Sequence, residues 1–320
     1  MSIWNLSAGT ASVARVKKIK SSGPPTTAYV MLGGKCRNNC RFCSQSRDSQ
    51  ARENMLSRVT WPPFEASDSV TAIKDAWARG DFKRICLQVV NGEKSWSATL
   101  DALESFKKDR SIPLCVSGHF DTVEQARELI DAGAERICIA LDAATPGVYS
   151  MTKEGNWEKR WQLLVECAAV LPGRVTTHMI VGLGETEEEM ARIISYCVSL
   201  GVTVGLFAFT PVRGTAFADR EPPAIDHYRR IQIAHYLLKK GHGLDSIHCR
   251  DGRIVNFDVP RLPGILADGR AFETSGCPDC NRPYYNESPR GVMLNYHRPL
   301  LSEEIRQAIL ESGIVPGTES

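Results

Sequence analysis

The stretch GGKCRNNCRFCSQS (33–46) places Cys36, Cys40 and Cys43 in a C-x₃-C-x₂-C spacing, just after the apolar run TAYVML (27–32). Soft thiolates converging from a flexible loop are the ligands of a cubane iron–sulfur cluster, and this spacing supplies three of them. No fourth cysteine lies close by in sequence. One iron of a 4Fe–4S cluster would therefore stay open, free to bind a substrate or cofactor directly. Zinc is the competing reading, although structural zinc sites close with a fourth Cys or His.

A second group lies in TSGCPDCNRPYYNE (274–287), where Cys277 and Cys280 form a C-x₂-C pair behind Gly276. A tight turn of this composition points backbone N–H groups at bound sulfur and stabilises its charge. Cys249 ends the apolar run DSIHC (245–249), expected on the active-site face, and could be a third ligand. Cys249, Cys277 and Cys280 could thus hold an auxiliary 4Fe–4S cluster at the barrel mouth, with Ser275 or Ser288 as an oxygen ligand. A zinc knuckle competes here too. Cys86, Cys115 and Cys138 lie within strand-like runs (RICLQ, PLCVS, RICIA) and read as small core residues or as cluster ligands. His178, in TTHMIVG, reads equally as a cavity-lining side chain or a satisfied core histidine.

Apolar β-branched runs that could position these groups recur from residue 27 to about 259: 27–32, 84–90, 113–118, 136–142, 174–183, 202–210, 245–249 and 253–259. Between them lie helical patterns at 122–133, 156–171, 185–201 and 224–241. This alternation implies βαβ units and an α/β barrel of six to eight parallel strands, with the active site at the C-terminal strand ends. Residues 1–26 read as an N-terminal extension that could form a short helix over one end of the domain. Residues 27–259 read as the barrel and 260–320 as a C-terminal tail or cap carrying CPDC. No glycine-rich phosphate loop follows the first run.

The 320 residues balance 39 basic against 37 acidic side chains, which argues against a dedicated nucleic-acid binder. No apolar segment approaches membrane-spanning length, and the N-terminus lacks the order of a signal peptide. The eleven cysteines are an odd number and clustered, as expected of metal ligands and core thiols in a reducing cytoplasm rather than of disulfides.

The three-cysteine loop, with Phe42 before its last thiol and an apolar strand before its first, resembles that of the radical S-adenosylmethionine superfamily. The resemblance implies a 4Fe–4S cluster whose open iron chelates S-adenosylmethionine and generates a 5′-deoxyadenosyl radical. It further implies cofactor contacts from Asn91, Gly92 and Glu93 (VVNGE, 89–93), with Asn91 standing where the family has glycine. Asp142 would contact ribose, Arg160 the methionine carboxylate, and Gly182 and Gly184 (IVGLGET, 180–186) would let the backbone approach adenine. Most of the chain is similar to the biotin synthase branch, although Thr176 stands where that branch has a cluster cysteine. The block SGCPDCNRPYYNESPRG resembles the two-component lipoyl synthases of archaea and some bacteria. That implies sulfur insertion into an octanoyl chain on a lipoyl carrier domain or H-protein, with an auxiliary cluster as sulfur donor. A paired homologous enzyme and a ferredoxin- or flavodoxin-type reductant would be partners. A maturase, a mutase and a non-catalytic iron–sulfur carrier are the alternatives.

Overall fold

The computed structural model describes residues 2–19, 23–109, 111–287 and 291–314. The chain opens with β1 (Ile3–Leu6) and α1 (Ala8–Val13), and Ser7 caps α1 by accepting the Thr10 N–H. The first long strand is β2 (Thr27–Leu32). After the cysteine loop come the short β3 (Met55–Leu56), β4 (Val59–Thr60) and β5 (Pro63–Glu65), then α2 (Ala66–Ala78). Strand and helix then alternate through β6 (Arg84–Val89), α3 (Ser95–Phe106), β7 (Leu114–Ser117), α4 (Val123–Asp131) and β8 (Arg136–Cys138). Next come α5 (Pro146–Thr152), α6 (Trp157–Val170), β9 (Val175–Val181), α7 (Glu187–Ser199), β10 (Thr203–Ala208) and α8 (Ile225–Lys239). The chain ends with β11 (Ile247–Arg250), β12 (Arg253–Phe257), α9 (Leu262–Leu266) and α10 (Ser302–Glu311).

The main sheet runs β10-β9-β8-β7-β6-β2-β1-β5. Its first six members pair in parallel, as right-handed crossovers through covering helices require. The expected N-terminal helix is present as α1, but the extension also adds β1, antiparallel to β2. The runs at 245–249 and 253–259 do not extend the barrel. They form an antiparallel hairpin, β11–β12, in a sheet of its own. Asp251 and Gly252 both take positive φ (51° and 77°), the conformation of a two-residue hairpin turn, and so short a loop cannot reach back to a parallel neighbour.

Side chains alternate across each strand. Ile85 and Leu87 of β6 turn outward and are fully buried in the main core with Ile73 of α2 and Leu103 of α3. Arg84, Cys86 and Gln88 therefore turn into the barrel.

The sheet does not close on itself; residues 274–287 complete the wall. Along the free edge of β10, the Leu206 N–H donates to Ser275 Oγ (2.8 Å), Arg282 Nη2 donates to the Leu206 carbonyl (3.2 Å) and Asn286 Nδ2 donates to the Ala208 carbonyl (2.8 Å). On the β2 side, the Thr26 N–H donates to Asn281 Oδ1 (3.0 Å) and the Arg282 N–H to the Tyr29 hydroxyl (3.0 Å). The tail acts as a stave between β10 and β2, not as a lid over the mouth. Among the described residues no helix is long and apolar enough to cross a membrane.

Candidate active site and metal centres

The loop after β2 is braced by the end of β6. A side chain at Gly33 would meet the Val90 carbonyl at 2.6 Å, and Gly33 takes φ of 91°, so both space and conformation demand glycine. The Arg37 N–H donates to the Asn91 carbonyl (2.7 Å), and Asn91 Nδ2 donates to Asn38 Oδ1 (3.2 Å). Held this way, Cys36, Cys40 and Cys43 line one cavity with Asn91, Lys153 and Arg160. Among the described residues no fourth cysteine lines it. Burial pushes the Cys40 thiol up to about 11 and the Cys43 thiol up to about 12, so neither ionises at neutral pH without added positive charge. Iron would supply that charge, and three thiols around one cavity fit a cluster with an open iron.

Arg160 of α6 is buried, donates Nη1 to the Phe120 carbonyl (2.6 Å) and borders the cavity. That position suits the expected carboxylate contact. Asp142 follows β8 with φ of 64° and is gripped by Lys153, whose Nζ lies 2.6 Å from Asp142 Oδ2 and also donates to the Ala140 carbonyl (2.9 Å). Burial works against the Lys153 charge, but the Asp142 carboxylate outweighs it and holds the ammonium above its usual pKa. Lys153 stands in SMTKEGNW, where no spacing or motif marks it out.

Phe42 and Asp142 border an adjoining cavity instead, and two further sets of expected contacts are not brought to this one. The Gly92 N–H returns to the Val90 carbonyl (2.8 Å), a three-residue turn after which Asn91 borders the cavity and Glu93 is exposed to solvent. Gly92 itself packs against the cysteine loop, since a Cβ there would meet Gly34 N at 3.2 Å. Gly182 and Gly184 adopt φ of 97° and 130°, but their N–H groups and that of Leu183 all donate to the buried Glu185 carboxylate (2.6, 3.1 and 3.0 Å). This nest already holds an anion from the chain itself. Gly182 must lack a side chain because Pro223 lies 2.8 Å from where its Cβ would be.

A mostly apolar cavity adjoins the first, bordered by Phe42, Ile180, Phe207 and Phe209 together with Asp142 and His178. Deeper in the barrel lies a third chamber, lined by Cys86, Cys115, Cys277 and Cys280. Gln88 borders all three spaces, so they lie next to one another around this side chain. Cys86 and Cys115 are direct partners across β6 and β7. Cys277 Sγ lies 3.8 Å from Cys115 Sγ, Gln88 Nε2 donates to Cys86 Sγ (3.0 Å), and the Tyr29 hydroxyl is 3.3 Å from Cys280 Sγ. Arg84, at the first position of β6, also lines this chamber. The chamber thus sits toward the N-terminal strand ends, below the cysteine loop instead of beside it at the mouth.

Cys249 is not part of this group. It lies on the β11–β12 hairpin outside the barrel, beside Glu187, Glu188 and Arg192 of α7. The expected placement required 245–249 to be a barrel strand. Ser275 is occupied as an acceptor for Leu206, and Ser288 lies outside the described residues. Cys138 is 1 % exposed and borders none of these cavities, so it serves as a small core residue.

His178 borders both the apolar cavity and the thiol chamber, edge-on to Phe207 with ring centroids 4.9 Å apart. Burial lowers its pKa to about 4, and burial lowers that of His235 to about 3. Both are neutral when folded and take up a proton when unfolded below about pH 6.5. Because the unfolded state binds more protons, stability rises with pH here. Between about pH 6 and 4.5 the apoprotein is therefore expected to lose about 1.4 kcal/mol per pH unit for each of these histidines. Urea unfolding across this range should show the decline, and His178→Gln with His235→Gln should flatten it.

A family model described as the radical SAM superfamily matches residues 30–197. The biotin synthase of Acidothermus cellulolyticus is 29% identical over 195 residues, 59% of this chain and 55% of that protein. The match therefore spans about half the length of such curated relatives. Among solved structures, the FeFe-hydrogenase maturase HydG from Carboxydothermus hydrogenoformans aligns with a TM-score of 0.54 at 18% identity, covering 96% of this chain and 71% of its own. Methylornithine synthase (PylB) aligns with a TM-score of 0.51 at 13% identity, covering 72% and 67%. These two likenesses establish the fold. With its family match covering more than half of the sequence, including the cysteine loop, the chain belongs to the radical SAM superfamily.

Proposed function

We propose that this chain is a sulfur-inserting radical enzyme that acts on the octanoyl chain carried by a lipoyl carrier domain or H-protein. The observation that carries this reading is the adjacency of the three-cysteine cavity, the apolar cavity and the four-thiol chamber around Gln88. An alkyl C–H bond has no acidic proton and no electrophilic neighbour, so acid–base chemistry does not reach it. S-adenosylmethionine on a 4Fe–4S cluster held by Cys36, Cys40 and Cys43 supplies, when bound, a radical able to remove hydrogen from such a carbon.

The chain's own residues then have separable roles. Arg160 and Asn91 border the cavity where the cofactor would be oriented, and Lys153, held by Asp142 of the adjoining cavity, stands in its polar wall. Phe42, Ile180, Phe207 and Phe209 give an aliphatic chain an apolar surface to lie against. His178, neutral by burial, offers no charge at the junction. The thiols lie beyond it, where a sulfur source would stand next to the substrate cavity. This arrangement favours sulfur insertion over a maturase or mutase reading, because only sulfur insertion draws sulfide from a second thiol-held cluster.

The proposed partners are a paired homologous enzyme and a small one-electron donor of the ferredoxin or flavodoxin type, in the cytoplasm. Incubating an octanoyl-lysine peptide anaerobically with protein, S-adenosylmethionine and reductant is expected to add one sulfur to the peptide. An unchanged peptide, with and without a paired enzyme, would sink the proposal.

A further inference from the structure

The structure assigns Cys86, Cys115, Cys277 and Cys280 as the complete ligand set of a second 4Fe–4S cluster inside the barrel, with Arg84 donating N–H groups to its sulfur atoms. This deepens the functional proposal and rests on it only for what becomes of the sulfur. The metal site itself stands on the following geometry.

Two ligands come from adjacent barrel strands and two from the tail that closes the wall. Arg84 is 2% exposed and pairs through Nη2 with Glu135, yet its Nε and Nη1 are buried with no hydrogen-bond partner. A buried guanidinium with two unused donors, bordering a chamber of thiols, calls for an acceptor within that chamber. Cluster sulfides and cysteine sulfurs are such acceptors.

Charge points the same way. A cubane core with two positive charges, held by four thiolates, carries two negative charges. Arg282 supplies one balancing cation, its Nη1 standing 3.7 Å from Cys280 Sγ, and Arg84 adds a second whose charge it shares with Glu135.

A single zinc ion would need its ligands converging at about 2.3 Å from one point. Among the described residues no three Cys, His, Asp or Glu side chains converge in that way. A cubane presents four irons at separate corners, as thiols spread around a chamber require. Unlike the first cluster, this one has a thiol for every iron and needs no oxygen ligand.

The tail's half of the site also has a mechanical consequence. Gly276, Asp279, Arg282 and Tyr284 all take positive φ, three of them non-glycine. A segment folded against its backbone preference depends on what it is tied to, and the cluster would tie it to β6 and β7.

The test uses full-length protein carrying Cys36→Ala, Cys40→Ala and Cys43→Ala, reconstituted anaerobically with iron and sulfide. About four irons and four sulfides per chain are expected to remain. Adding Cys115→Ala or Cys277→Ala should reduce both at least fourfold, while Cys249→Ala should leave them unchanged. Cys86→Ala and Cys280→Ala provide an independent pair should either of the first two fail to fold. Arg84→Met should retain the iron but lower the cluster's midpoint potential, which a purely structural arginine would not do. Removing the iron with a chelator should speed amide hydrogen exchange over 274–287 at least tenfold. Zinc in place of iron, about two irons per chain, or iron content indifferent to Cys115 and Cys277 would each overturn the assignment. Iron that follows these cysteines in a protein that never sulfurates the peptide would leave the site standing and remove only the functional proposal.

Discussion

Replacing Cys40 with alanine is expected to reduce 5′-deoxyadenosine formation to the background of a protein-free control. The cavity that holds Cys40 contains only two other thiols, and no further cysteine borders it among the described residues. Nothing can take over the lost ligand, because the remaining described thiols lie in the deeper chamber, within the core or on the outer hairpin. The effect should be specific. Iron held by the barrel chamber should survive, since Cys86, Cys115, Cys277 and Cys280 are anchored by β6, β7 and the tail, not by the loop. Anaerobic incubation with S-adenosylmethionine and dithionite, followed by chromatography and an iron assay, reads both quantities. Residual 5′-deoxyadenosine at a substantial fraction of the parent rate would contradict the assignment of the loop.

Glu187→Ala is expected to destabilise the apoprotein by about 3 kcal/mol, the lower end of the usual cost of breaking a buried ion pair, because Arg230 keeps Asp226 as a second partner. Arg230 and Glu187 side chains are 3% and 6% exposed and meet in a fork, Nε to Oε2 at 2.8 Å and Nη2 to Oε1 at 2.6 Å. The same carboxylate accepts the Ile254 N–H (2.8 Å), so it ties β12 to α7. Arg230 continues through Nη1 to Asp226 Oδ2 (3.0 Å) and the Ser312 carbonyl (2.8 Å). One carboxylate thus joins α7, α8, the hairpin and the chain beyond α10. Equilibrium urea unfolding should show the loss. Glu187→Met combined with Arg230→Met should recover part of it, because no charge is then stranded.

The parallel strands were legible because short β-branched runs alternating with amphipathic helices have few other solutions; β2 falls within the expected run at 27–32. The hairpin was misread for a local reason. The run pattern outweighed Asp251–Gly252, although that dipeptide is a strong turn signal between two apolar stretches. The three-cysteine loop could be read because all its ligands come from one short segment. The four-thiol chamber could not. Cys86 and Cys115 sit on strands buried on both faces, where alternation no longer separates inside from outside. Cys277 meets Cys115 across a sequence separation of 162 residues, a contact that only the barrel creates.

The expected cofactor contacts divide along the same line. Arg160 lies where helix and barrel geometry carry it. The exposure of Glu93 and the closure of the Gly182–Gly184 nest turn on local hydrogen bonds, from Gly92 to Val90 and from the three nest N–H groups to Glu185. Lys153 borders the cavity with no spacing to announce it.

The central claim is that sulfur passes from the barrel chamber to a carbon placed between the two thiol sets. Its most direct test is isotopic. Protein reconstituted with heavy-isotope sulfide, then freed of unbound sulfide, is incubated anaerobically with octanoyl-lysine peptide, S-adenosylmethionine and reductant. Mass spectrometry should find the heavy isotope in the peptide, in amounts no greater than one sulfur per chain, and none with the Cys115→Ala or Cys277→Ala variant. A product carrying only unlabelled sulfur, or no sulfur while 5′-deoxyadenosine accumulates, would contradict the account.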